Sequence, residues 1–229
     1  MPISSVTEPI DVSFDAEESL DAFAFQRFGN KTGSGVHEKG RETLKSILRT
    51  TIRLIVEGGF SDFSMRKVAA ELGIKISAVQ YYFSTRDDLL RALGKFVLYW
   101  YDLKQQEVIQ RDYPTPLARL EAYIDFSLDR VQQQSGYYIL LGEAQTGSAI
   151  FAASFQEIYA LDIKVLSDLL RPLLPEASST QIKQRAAFIS ASIDGLEIYL
   201  KEQPKLAPSI PKLESFSKAA LLYIATSQI

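Results

Sequence analysis

The sequence predicts an all-α protein on three observations: apolar residues recur every three or four positions along most of the chain, Gly, Pro and Ser/Thr cues cut that pattern into helix-length pieces, and no stretch keeps a two-residue alternation. The expected architecture is an N-terminal three-helix unit containing a helix-turn-helix, followed by a C-terminal helical bundle. Residues 1–38 read as an acidic leader, 39–90 as the helix-turn-helix unit and 91–229 as the bundle.

The leader ends in Gly29, Asn30, Gly33, Ser34 and Gly35, which favour turns, and it reads as a mobile arm. Leu20, Phe23 and Ala24 would share one side of a short helix over Asp15 to Phe25. From Arg41 to Glu57, Leu44, Ile47, Leu48, Ile52 and Ile55 fall on one helical face, and Gly58 and Gly59 stop the run. Ser64 is the expected N-cap of a second helix, Met65 to Leu72, closed by Gly73. Ile74, Lys75 and Ile76 form a tight turn, Ser77 opens a third helix through Phe83, and Thr85 with Asp88 forms a capping box for a fourth running towards Gln110. Pro114 and Pro116 mark a turn before a helix from Leu117 to Gln134. A short piece over Tyr137 to Glu143 follows, then a long helix from Ile150 to Leu170, ended ahead of Pro172 and Pro175. Helices from Thr180 to Glu202 and Leu213 to Ser227 complete the chain.

Composition excludes several function classes. With 229 residues, 46% of them hydrophobic, the chain can bury a sizeable core. No cysteine is present, so disulfides, thiolate metal sites and cysteine nucleophiles are ruled out. The single histidine, His37, lies in the leader, where it cannot assemble a metal triad or a histidine-based nucleophile system. Gly33-Ser34-Gly35 lacks the residues that surround a phosphate-binding loop. No catalytic residue, metal or cofactor is therefore expected. Neither a signal peptide nor an apolar run long enough to span a membrane is legible, and a cytoplasmic protein is expected.

The net charge of −3 hides a strong segregation. Met1 to His37 carries two basic and six acidic residues, Glu38 to Lys95 eleven and seven, and the remainder twelve and fifteen. Positive charge is concentrated where the helix-turn-helix lies, the footprint expected of a nucleic-acid partner.

Ser64-Met65-Arg66-Lys67-Val68-Ala69-Ala70-Glu71-Leu72-Gly73-Ile74 and Ser77-Ala78-Val79-Gln80-Tyr81-Tyr82-Phe83-Ser84-Thr85-Arg86-Asp87-Asp88-Leu89-Leu90, with the preceding helix and Gly-Gly-Phe, resemble the DNA-binding signature of the tetracycline-repressor (TetR) family over roughly Glu42 to Leu93. The resemblance implies a regulator of transcription, by default a repressor, that binds a near-palindromic double-stranded operator as a homodimer. It implies DNA contacts from Ser64 and Arg66, from Lys75, Ile76, Ser77 and Ala78, from Gln80, Tyr81 and Tyr82, and from Arg86 in place of a frequent lysine. A guanidinium suits guanine O6 and N7, the Gln80 amide suits adenine, and small leading residues can meet a thymine methyl. Gln80 departs from the tyrosine common at this position in the family, and Lys75 from a small polar residue. Val79 and Phe83 are assigned to the core with Val68, Leu72 and Leu48.

The resemblance fades after Phe96. A sensor pocket for a small apolar or aromatic effector is expected among the middle helices, with Phe96, Trp100, Tyr123, Phe126 and Phe155 as its apolar wall and Glu143 as a polar contact. Ile182, Ile189, Ile193, Leu196 and Leu200 form a heptad-like seam that suits a dimer interface; an intramolecular core explains the same period equally well. A TetR-like protein answering to a protein partner is the competing reading.

Overall fold

The computed structural model describes residues 23, 36–132, 149–202 and 213–227. Those residues form eight α-helices and one 3-10 turn, with no strand among them. The helices are α1 (Val36–Asp62), α2 (Met65–Glu71), α3 (Ile76–Tyr82), α4 (Arg86–Ile109), α5 (Pro116–Gln132), α6 (Ala149–Leu170), α7 (Ser179–Glu202) and α8 (Leu213–Thr226), with the 3-10 turn at Arg171–Leu173. The short helix expected over Tyr137 to Glu143 lies outside the described residues.

The chain divides into two compact units, Met1–Trp100 with Gln134–Ser154 and Tyr101–Gln133 with Phe155–Ile229. The division falls inside α4, between Trp100 and Tyr101.

In the first unit, α2 packs on α1 and on α3. The predicted stripe Leu44, Ile47, Leu48, Ile52 and Ile55 is buried, and Val68 and Ala69 of α2, Val79 of α3, Phe83, and Leu89, Leu90 and Leu93 of α4 join it. Each fully buried side chain of this size contributes about 1.5 to 3 kcal/mol, so this interior, rather than intrinsic propensity, holds the two seven-residue helices. Leu72, also expected in the core, is half-buried.

Local signals act as their chemistry requires. Helix α1 is broken at Gly59, whose φ of 74° and ψ of 173° lie in a region open only to glycine. The Ser64 hydroxyl accepts the Lys67 N–H at 3.2 Å and caps α2. Thr85 and Asp88 exchange backbone-to-side-chain bonds, both 3.1 Å, as a reciprocal capping box at the start of α4. Ser178 and Gln181 repeat the arrangement ahead of α7 at 2.8 and 3.2 Å.

In the second unit, α5, α7 and α8 pack on one another. Leu120 and Ile124 of α5, Ile182, Ala186, Ile189 and Ile193 of α7, and Leu221 and Ala225 of α8 are buried. Lys218 of α8 pairs with Asp125 of α5 at 2.7 Å. Arg185 of α7 donates to the Ile224 carbonyl at 2.9 Å and also to that of Ser227, satisfying acceptors that the end of α8 leaves open.

Of the two explanations for the α7 seam, the structure supports the intramolecular one for three of its members. Ile182, Ile189 and Ile193 are covered within the subunit, whereas Leu196 is half-buried and the Leu200 side chain lies outside the described residues. The 3.6-residue period identifies a face that must be covered, and here the covering helices belong to the same chain.

Candidate nucleic-acid interface

A recognition helix needs an inner face that anchors it and an outer face free to meet a duplex. In α3, Val79 and the following Phe83 point inward and are almost wholly buried. Ser77, Gln80, Tyr81 and Ser84 follow at spacings of three, one and three, and all are exposed; Tyr81 is 82% exposed. Lys75, the N-cap residue of α3, is exposed as well, and Ile76 and Ala78 are half-buried beside it. On α2, Arg66 is exposed opposite Val68 and Ala69.

The connection between these helices is set by Gly73. Its φ is 63°, and the N–H groups of Gly73 and Ile74 return to the carbonyls of Ala70 and Ala69 at 3.1 and 3.0 Å. These are the two bonds of a Schellman closure, which ends α2 and turns the chain into α3 within a few residues. Helix α3 starts one residue earlier than expected from Ser77, and its N-cap Lys75 supplies no side-chain bond.

Charged groups around the motif divide into those spent on structure and those left outward. Arg53 of α1 donates to Glu57 at 3.0 Å and to Glu71 of α2 at 2.6 Å, tying the two helices together. The Glu71 bond first, and Glu57 with it, raise the arginine's pKa further against a smaller opposing effect of burial. Lys67 pairs with Asp62, and Lys45, whose side chain is buried, pairs with Glu42. Among the described residues, neither Arg66 nor Lys75 is held in an ion pair.

Two of the residues expected to contact DNA, Tyr82 and Arg86, are half-buried and make contacts within the chain. Arg86 is half-buried: its Nη2 donates to the Phe60 carbonyl at 2.9 Å, and its guanidinium lies over the Phe63 ring, 5.2 Å from the centroid. It braces the end of α1 beyond the Gly59 break. Tyr82 is also half-buried. Its hydroxyl stands beside Gly40 of α1, where an added Cβ would lie 3.5 Å away, and its ring meets that of Tyr81 edge-on at 5.2 Å. Of the tyrosine pair, Tyr81 is the outward member.

The residues expected to line a sensor pocket are distributed over both units. Phe96 and Trp100 are buried in the first; Tyr123 and Phe155 are buried in the second, where Phe126 is half-buried, its ring 6.4 Å from that of Tyr123. Glu143 lies outside the described residues. The polar centre of the second unit is instead Asp162 of α6, which is buried and accepts from Tyr101 at 2.7 Å, from Tyr123 at 3.3 Å and from the Gln105 amide. Gln105 also donates to the Tyr123 hydroxyl at 2.8 Å, and its own Oε1 is buried with no partner. Sequence reasoning missed Gln105 and Asp162. Their signal was a polar residue interrupting an apolar helical stripe: Gln105 one turn beyond Tyr101, and Asp162 between Ile158 and Leu166.

Among the described residues, no group of three His, Cys, Asp or Glu could hold a metal ion, and no helix is long and apolar enough to cross a membrane.

Comparison with known proteins agrees with this geometry. Residues 47–93 match the family described as "Bacterial regulatory proteins, tetR family". The chain is 25% identical over 172 residues to the HTH-type transcriptional regulator PksA of Bacillus subtilis, covering 73% of this chain and 82% of the relative. Two solved structures share the fold: Escherichia coli NemR in its reduced form (TM-score 0.67, 17% identity, 82% of this chain and 100% of that one) and B. subtilis FadR in complex with stearoyl-CoA (TM-score 0.63, 17% identity, 81% and 99%). The braced two-helix motif with its outward basic and polar face thus lies within the segment that matches the tetR-family model, and the chain is similar to HTH-type transcriptional regulators in sequence and to TetR-type regulators in fold.

Proposed function

We propose that this regulator is a homodimeric repressor that reads a near-palindromic operator with the outer face of α3 and is released by a small, largely apolar or aromatic effector. The observation that carries the DNA-reading half is the division of α3 into a buried face of Val79 and Phe83 and an exposed face of Ser77, Gln80 and Tyr81. With α3 in the major groove, Gln80 pairs with an adenine edge, Tyr81 meets phosphate and sugar, Lys75 meets a phosphate and Arg66 reaches a guanine or phosphate.

Homodimerisation is supported by a second face of α7. Gln181, Gln184, Phe188, Ala191 and Gly195 recur at alternating spacings of three and four, and all are exposed; Phe216, Ala219, Tyr223 and Thr226 do the same on α8. Phe188, Phe216 and Tyr223 are three of the five large hydrophobic side chains exposed among the described residues. An apolar surface of this kind on two mutually packed helices suits a four-helix contact with a second copy. A near-palindromic operator calls for two α3 helices about 34 Å apart, one turn of duplex, and a dimer supplies the second one.

The effector reading rests on Gln105. A buried carbonyl oxygen without a donor costs free energy that a ligand's N–H or O–H would recover. Gln105 lies on α4, the helix that also supplies Leu89, Leu90 and Leu93 to the first unit's core, so a ligand that shifts it biases the DNA-binding unit. By linkage, operator then weakens effector binding by the same factor.

The test is selection of binding sites from genomic fragments by the purified protein and by an Arg66→Ala, Tyr81→Ala variant. An inverted repeat enriched by the first and lost by the second is the expected result; no enriched sequence at moderate salt overturns the reading.

A further inference from the structure

Residues 1–22 contain six carboxylates, Glu8, Asp11, Asp15, Glu17, Glu18 and Asp21, and no basic side chain. Directly after them comes Phe23, which is 7% exposed. Its ring meets that of Phe96 edge-on at 5.5 Å and that of Tyr99 at 6.2 Å, both on α4 within the first unit. The acidic segment is therefore tethered to the DNA-binding unit by a buried aromatic anchor.

The anchor borders a cleft of about 560 Å³ whose other walls include Tyr82, Ser84, Asp88, Arg91 and Lys95. Arg91 and Lys95 are exposed; Arg91 pairs with Asp88, whereas Lys95 holds no ion pair among the described residues. The cleft thus runs from Phe23 to the last turn of α3, and an uncommitted cation stands in its wall. The segment ahead of Phe23 carries the complementary charge.

We propose that residues 1–22 occupy this cleft and act as an intramolecular competitor of DNA, their carboxylates standing where backbone phosphates would stand. The inference rests on the DNA-binding reading and adds to it a control of affinity. Reach is sufficient: at about 3.3 Å per extended residue, the chain ahead of Phe23 is long enough to bring its carboxylates to Lys95, to Arg91 and to the outer face of α3, itself only about 10 Å long. A tether this short gives an effective concentration of about millimolar or more. DNA must displace the segment before it docks. Nonspecific binding, which is almost entirely electrostatic, is suppressed most, while an operator offsets the displacement with base contacts. The leader thereby raises the ratio of specific to nonspecific binding.

Two measurements on the full-length chain test this. The first is anisotropy titration of a mixed-sequence duplex at low and high salt, comparing the natural protein with a variant whose six carboxylates are neutralised (Glu8→Gln, Asp11→Asn, Asp15→Asn, Glu17→Gln, Glu18→Gln, Asp21→Asn). The variant should bind about tenfold tighter at low salt, and the gap should narrow as salt rises. Phe23→Ala, which frees the anchor with every charge retained, should fall between the two. Equal affinities overturn the inference and leave the DNA-binding reading intact, whereas absence of binding by every form overturns both.

The second uses the absence of native cysteine: a spin label on Asp15→Cys should broaden backbone resonances of residues 75–84, and DNA should relieve the broadening. No broadening there overturns placement of the segment on α3.

Discussion

Arg86 at the start of α4 donates from Nη2 to the carbonyl of Phe60, 2.9 Å away, just beyond the kink that Gly59 introduces into α1. The bond gives Arg86 the role of a structural brace. Arg86→Ala removes this hydrogen bond and the stack on Phe63, at a cost of about 1.5 kcal/mol. Thermal melting should register the loss, whereas the slope of DNA affinity against salt should stay unchanged. A slope reduced by about one unit at unaltered stability would return Arg86 to the phosphate-contacting set.

Gly59 and Gly73, the two glycines of positive φ among the described residues, differ in what a side chain would cost. Gly73 has φ 63° and open space where a Cβ would stand, so Gly73→Ala meets only backbone strain of about 1 to 2 kcal/mol, and Gly73→Asn less. Gly59, at φ 74° and ψ 173°, lies where other residues scarcely occur, so Gly59→Ala should destabilise more than Gly73→Ala. Urea unfolding of the two variants gives the ranking directly.

Neighbouring residues on α3 should separate stability from recognition. Val79→Ala deletes a fully buried side chain and should cost about 2 kcal/mol of stability with the same operator sequence preferred. Tyr81→Ala should leave melting within about 0.5 kcal/mol and weaken operator binding. Melting curves paired with operator titrations distinguish these outcomes; a stability loss at Tyr81 equal to that at Val79 would refute the face assignment.

Light scattering can distinguish the two faces of α7. Phe188→Glu with Tyr223→Glu places charge on the exposed stripe and should yield a folded monomer with weakened operator binding. Ile189→Ala, on the covered stripe, should lower stability by about 2 kcal/mol or more with the oligomeric state retained while the protein is folded. A double variant that remains dimeric would place the subunit contact elsewhere.

At the buried cluster of the second unit, Tyr101→Phe removes a hydroxyl that donates to the Asp162 carboxylate at 2.7 Å. A charge-directed bond in the interior is worth about 1.5 to 3 kcal/mol, so denaturant unfolding should shift by that amount. An unchanged midpoint would mean that the remaining donors already suffice.

Sequence alone determined whatever is settled within a few residues. The Ser64 cap, the Thr85 and Asp88 capping box, the turns at Gly59 and Gly73, and the apolar stripe from Leu44 to Ile55 depend on hydrogen bonds and periodicities that span four to eleven positions, and each stands where its local chemistry placed it. The helix-turn-helix was legible for the same reason, since its closure is a local chain of backbone bonds from Ser64 to Phe83. Tertiary structure decided which partner covers each face. A period of 3.6 identifies Ile182, Ile189 and Ile193 as a buried row but is silent on whether the same chain or a second copy buries them. Likewise, the meeting of Arg86 with Phe60, of Gln105 with Asp162 and of Phe23 with Phe96 joins residues 26, 57 and 73 positions apart. Packing of whole helices makes those neighbours, and no short window of sequence contains both members of the pair.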